Sequence, residues 1–202
     1  MKYYQDITLI PDAEANIGFL WYKVFQQVHI GLADIKQADG TSAIAVSFPD
    51  YSSGGDKQPR FPLGSKLRLF ADTEERLGQF NNQNRLSRLM DYCHIKSVRS
   101  IPSTSKHVRF KRKMVKSEFR KAAGLARHLN KPIIEILKYR NEQGIQTQEC
   151  KLPYIHMESQ EQTETGEKNK FRLFIQREIF DSPIEGTFDC YGLSKTATVP
   201  WF

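Results

Sequence analysis

Between Ala13 and Ala33 apolar side chains recur with the period of a helix, at Ile17, Leu20, Trp21, Val24, Phe25, Val28 and Leu32. A stripe of that length needs a surface to pack on, and the neighbouring segments read as strands. Lys2–Ile10 precedes the helix. Ala43–Phe48 follows it with Ile44, Val46 and Phe48 on one face, and Lys66–Phe70 is its partner with Leu67 and Leu69 inward. Asp50–Gly64, rich in Gly, Ser and Pro, is the loop between them. Asp72 with Glu75 makes a capping-box-like start for a second helical region that continues to about Met90, broken near Asn81-Asn82, and Tyr92–Val98 is a fourth strand. The order β-α-β-β-α-β is that of the ferredoxin-like unit. The expected fold class is therefore α+β, with a ferredoxin-like domain over 1–98 and, beyond a linker-like Ser-Ile-Pro-Ser-Thr-Ser, a divergent α+β domain over 99–202.

The second half is less regular. It offers a strand at 106–113, a helix from Ser117 to about Asn130 with Ser117 as cap, and a further helix from Pro132 to about Glu142. Strands are expected at Cys150–Met157, Lys170–Gln176 and Thr187–Leu193, and Glu158–Lys170 reads as a loop because it holds no large apolar side chain. Cys93, Cys150 and Cys190 form no C-x-x-C pair and read as buried free thiols. No window approaches a membrane span and the first residues have no apolar signal core, so a soluble, unprocessed, cytoplasmic protein is expected.

Charge gives the first pointer to function. Lys96–Lys131 contains twelve basic residues and one acid, a local charge of +11 in a chain whose total is +7, so the other 166 residues carry −4. A solvated run is the bland explanation, but the pattern favours a docking surface for a polyanion. In KHVRFKRK, Val108 and Phe110 point one way while His107, Arg109, Lys111 and Lys113 point the other. On the following helix Lys116, Arg120 and Arg127 share a stripe opposite Phe119, Ala122, Leu125, Ala126 and Leu129, with the small Ala123 and Gly124 between the cations. A cationic front without bulky obstruction can approach a phosphate backbone closely.

The chemistry available is limited. The five histidines and the scattered acids form no metal-ligand signature, and neither a P-loop nor a G-x-S-x-G elbow is present. No metal and no cofactor is expected. RNA, however, carries its own nucleophile, and one imidazole can take the proton of a ribose 2′-OH without a metal. His29 lies about 100° round from the centre of the first helix's apolar stripe. Spacing alone leaves it open between a structural boundary histidine and a catalytic one.

Cys190-Tyr191-Gly192-Leu193-Ser194-Lys195, followed by Val199-Pro200-Trp201-Phe202, resembles the C-terminal signature of the CRISPR repeat-RNA endoribonucleases of type I-F systems. Val46-Ser47-Phe48-Pro49, Leu152-Pro153 and Phe171-Arg172-Leu173-Phe174-Ile175 agree in the same order, as does His29 on the first helix. The resemblance implies a nuclease that cuts precursor transcripts at the 3′ base of the repeat hairpin and leaves a 2′,3′-cyclic phosphate and a 5′-OH. It further implies that the protein stays on the mature guide RNA beside the other subunits of the surveillance complex, away from any membrane.

The same resemblance makes His29 the general acid/base, Ser159 the residue that fixes the ribose, Tyr191 the one that positions the imidazole, and Phe171 the platform under the closing base pair. Arg109 and Lys111 would read base edges, and Arg112, Lys113, Lys116, Arg120 and Arg127 would hold the RNA. His156 or Thr163 could replace Ser159, Phe171 could be core, and Tyr191 could be structural. Two departures stand out: Glu161 where many relatives have a second serine, and Lys111 where they have Gln. The rivals are a non-catalytic stem-loop binder on the same fold and an RRM-type RNA binder, for which no RNP1 stretch is visible.

Overall fold

A computed structural model describes residues 1–52, 61–80, 82–103, 106–116, 118–145, 150–162, 166 and 168–202. The chain divides into two compact units, Met1–Lys113 with Pro153–Phe202, and Met114–Leu152. The boundary expected at 98/99 falls inside the first of these. Both units together give an α+β protein, as expected.

In the first unit β1 (Tyr3–Leu9) is central to an antiparallel sheet. Its partners are β3 (Lys66–Ala71) on one side and β4 (Cys93–Ile95) with β5 (Arg99–Ser100) on the other, and β2 (Ala45–Ser47) flanks β3. The helix α1 (Ile17–Asp34) buries Leu20, Trp21, Val24, Phe25, Val28 and Leu32, the expected stripe. Its cap is Asn16, whose side chain accepts from the Phe19 N–H, and the Trp21 indole donates to the Gly64 carbonyl at 2.8 Å. The second helical region is broken as expected, into α2 (Glu74–Gln79), α3 (Asn82–Arg85) and a 3-10 turn at Ser87–Leu89. The cap of α2 is Thr73, not Asp72: its hydroxyl accepts from the Arg76 N–H, whereas Asp72 pairs with the N-terminal ammonium at 3.0 Å.

The second sheet is β7 (Tyr154–Gln162), β8 (Lys168–Phe180), β6 (His107–Lys113) and β9 (Val199–Pro200), in that order. It shares one core with the first sheet: Phe110 meets Phe48 edge-on at 5.1 Å, and the Tyr51 hydroxyl donates to the Ile175 carbonyl. Two expectations fail here. Glu158–Lys170 is largely the arms of a long hairpin, because β7 and β8 pair through Glu158↔Lys170 and Gln162↔Lys168 and need no apolar side chains to do so. Thr187–Leu193 is not a strand; only isolated bridges join Phe188 to Ser42 and Ser194, since an Asp189-centred turn takes up the backbone instead. Of the cysteines, all free, Cys93 alone is buried; Cys150 and Cys190 are half-buried.

The second unit is a helical pair, α4 (Glu118–Leu129) and α5 (Ile133–Glu142), with Arg140 bonded to Glu118. Among the described residues it buries Ala122, Ala126 and Ile136, with Leu125, Ile133 and Leu137 packed at the edge. Phe119 and Leu129, expected on the apolar back, are 61% and 49% exposed: a pair of short helices closes over two alanines and has no surface left to cover both ends. Ser117, the expected cap, lies outside the described residues.

Candidate active site

Three elements of the first unit meet around one ring. The loop after β8 is held by Asp189, whose carboxylate accepts from the backbone N–H groups of Tyr191 and Leu193, both at 2.9 Å. Gly192 closes the turn with φ +71° and its carbonyl accepts from the Val46 N–H of β2. That anchorage lays the Tyr191 ring flat on the imidazole of His29, with centroids 3.9 Å apart and planes 5° from parallel. The His29 Nδ1 is 3.2 Å from the Cys190 carbonyl oxygen. A carbonyl can only accept, so Nδ1 carries the proton and Nε2 keeps a free lone pair, the tautomer a general base requires.

The electrostatics agree with that state. Burial lowers the proton affinity of His29 below the ordinary value of 6.5, the bond to Cys190 partly restores it, and the Arg112 guanidinium lowers it further. Burial raises the Tyr191 phenol, offset in part by Arg112. Asp189 is raised by burial, against the pull of its two backbone donors.

Arg112 arrives by strand parity. Val108 and Phe110 are 0% and 1% exposed on the inward row of β6, as expected, and Arg112 continues that row, apart from His107 and the cations at 109, 111 and 113. Its guanidinium lies over the rings of Phe171 and Tyr191, 5.4 and 5.1 Å from their centroids. Phe171, opposite Met157 in the β7–β8 register, is half-buried at the margin of the core. His29, Tyr191, Phe171 and Arg112 therefore form one contiguous group.

Ser159 stands on β7 rather than in a loop. Gln26 of α1, one turn before His29, clamps the backbone of the preceding residue: its amide donates to the Glu158 carbonyl at 3.0 Å and accepts from the Glu158 N–H at 3.1 Å. His156, an alternative to Ser159, is exposed and meets the Tyr154 ring edge-on; Thr163 lies outside the described residues. Arg109 and Lys111 share Glu178, and Arg109 also donates to the Thr196 carbonyl, so both are engaged within the protein. Lys113, Lys116, Arg120 and Arg127 are exposed, the last three in the second unit. Sequence reasoning passed over Gln26 and Asp189. For Asp189 the signal was present in Asp-Cys-Tyr-Gly, an Asx-turn composition.

Among the described residues no group of three or more His, Cys, Asp or Glu side chains is placed to hold a metal ion, and no helix is long and apolar enough to cross a membrane.

An α+β chain that stacks an imidazole on the tyrosine of a Cys-Tyr-Gly-Leu-Ser turn has a match among known families. Residues 4–202 fit the family described as CRISPR-associated protein (Cas_Csy4), and the chain belongs to it. It is 30% identical to a CRISPR-associated endonuclease Cas6/Csy4 of Escherichia coli (strain UTI89 / UPEC) and 30% identical to one of Pseudomonas aeruginosa (strain UCBPP-PA14). In both comparisons the whole of each chain is covered.

Proposed function

We propose that the protein is an endoribonuclease that cleaves CRISPR precursor transcripts at the 3′ base of the repeat hairpin without a metal and remains on the mature guide RNA within the type I-F surveillance complex. The observation that carries the reading is the imidazole of His29, stacked on the Tyr191 ring with Nδ1 against the Cys190 carbonyl and the Arg112 guanidinium over the same tyrosine. The naming of both relatives as CRISPR-associated endonucleases supports it. The strand order β2-β3-β1-β4, antiparallel throughout, supports a ferredoxin-like arrangement for the first sheet.

In this mechanism Nε2 of His29 takes the proton of the ribose 2′-OH, the 2′-oxygen bonds to phosphorus, and the bond from phosphorus to the 5′-oxygen breaks. The departing 5′-oxygen receives the proton back, which leaves a 2′,3′-cyclic phosphate and a 5′-OH. Ser159 fixes the ribose, Tyr191 holds the imidazole plane and Phe171 stacks under the closing base pair. Arg109 and Lys111 reach base edges by exchanging Glu178 for the RNA, and Lys113, Lys116, Arg120 and Arg127 contact stem phosphates. Positioned proton transfer of this kind contributes about 10²–10⁴-fold to a rate.

A repeat hairpin with a single 2′-deoxy substitution at the scissile nucleotide, and separately His29→Ala with the all-ribose hairpin, should each bind RNA nearly as before and yield no product. Cutting of the deoxy substrate refutes the 2′-OH mechanism, and unchanged cutting by His29→Ala removes that residue from it. A wild-type protein that binds the hairpin and never cuts it is a non-catalytic stem-loop binder.

A further inference from the structure

We propose that Arg112 is a further catalytic residue of this cleavage: it takes a non-bridging oxygen of the scissile phosphate and carries the charge that builds there as the 2′-oxygen attacks. The proposal rests on the reading of His29 given above. Three facts single Arg112 out among the cations of β6. Arg109 and Lys111 are both paired with Glu178, whereas among the described residues no carboxylate forms an ion pair with Arg112. It belongs to the inward row, so it reaches the same ring as the imidazole. And its guanidinium carbon lies over the Phe171 and Tyr191 rings, 5.4 and 5.1 Å from their centroids. A guanidinium has five N–H donors in a rigid plane, so the edge directed away from the rings retains donors for a phosphate oxygen.

The arrangement gives the arginine a second effect on the reaction. The groups that face the imidazole are Cys190 and Tyr191 from the loop after β8 and Arg112 from β6, with Asp189 behind the loop. From β7, Glu158 pairs with Lys170 at 3.7 Å. In the free protein burial lowers the proton affinity of the imidazole and the arginine adds to that effect. When a phosphate binds, its negative charge offsets the guanidinium, so the imidazole regains proton affinity in the complex that needs it. The arginine stays protonated throughout, and the travelling proton passes from the 2′-oxygen to His29 and on to the 5′-oxygen.

The test is single-turnover cleavage of the repeat hairpin at saturating protein, with affinity and the pH–rate profile measured in parallel. Removing one preorganised donor from a developing oxyanion costs about 10²–10³-fold in rate. Arg112→Ala should lose about that much while affinity falls by less than about tenfold, roughly one phosphate contact. The acid limb of its profile should move to higher pH. Arg112→Lys should regain part of the rate, because it restores the charge without the planar fork. If Arg112→Ala does not bind RNA, Arg112→Gln against Arg112→Lys makes the same comparison. A wild-type saturated rate in Arg112→Ala overturns the proposal, as does a loss confined to affinity, or a lysine variant no faster than the alanine one with an unmoved acid limb. His29→Ala is run alongside. If it cuts normally the underlying mechanism is wrong; if it is inactive while Arg112→Ala cuts normally, the Arg112 assignment alone is wrong.

Discussion

Gly192→Ala perturbs the turn that holds the imidazole without touching a reacting group. Gly192 has φ +71°, and a Cβ there would sit 2.6 Å from Val46 Cγ2, 3.1 Å from the Ile44 carbonyl oxygen and 3.1 Å from Leu32 Cδ1. Ordinary carbon contacts fall at about 3.5–4.0 Å. Val46 and Leu32 are 2% and 0% exposed and cannot swing into solvent, so the turn itself must lift. The left-handed backbone costs an alanine about 1–2 kcal/mol and overpacking about 1–3 kcal/mol. At about 2–4 °C per kcal/mol for a domain of this size, Tm should fall by at least about 4 °C. The lifted turn carries both the Cys190 carbonyl that fixes Nδ1 and the Tyr191 ring, so single-turnover cleavage should also slow at temperatures where the variant is folded. Differential scanning calorimetry and the cleavage assay read the two effects. A variant with unchanged Tm and unchanged rate refutes the account of how the imidazole is held.

Three other perturbations probe separate parts of the structure. Because the folded protein holds His29 below the ordinary 6.5, the unfolded chain binds that proton first on acidification; stability is undiminished above about 6.5 and falls as pH drops below it. His29→Gln should flatten this part of a pH series of urea midpoints, and an unchanged slope contradicts the shift. Asp6→Ala strands Arg68, which is buried, paired bidentately with Asp6 at 2.6 and 3.1 Å and bonded to the Phe202 carbonyl; the midpoint should report a loss of about 3–5 kcal/mol. Arg127→Ala on α4 should reduce the slope of log affinity for the hairpin against log salt by about one, while an unaltered slope makes that residue a solvated charge.

What was legible in the sequence follows from where burial sets the backbone. The stripe of α1 and the Val108–Phe110 alternation are read directly because a packed surface lies against each. The hairpin arms around Ser159 are not legible because Glu158↔Lys170 and Gln162↔Lys168 are joined by main-chain bonds between polar residues, which periodicity cannot register. The Asp189 turn reads as a strand in the sequence because Phe188 and Leu193 are buried although the chain between them is irregular. His29 is legible at the margin of its helix, but its partner Tyr191 is 162 residues away and in the sequence only the family resemblance points to it. Arg112 reads in the sequence as one of a run of cations; strand parity alone separates it from its neighbours.

The central claim is that RNA supplies the nucleophile and this chain supplies the proton transfer. The most direct measurement is incubation of the protein with its cognate repeat hairpin in EDTA, with the chemical ends of the products determined. The account predicts cleavage at the 3′ base of the stem, a 2′,3′-cyclic phosphate on the upstream fragment and a 5′-OH on the downstream one. Strict dependence on added divalent metal, or products ending in a 3′-OH and a 5′-phosphate, would contradict it.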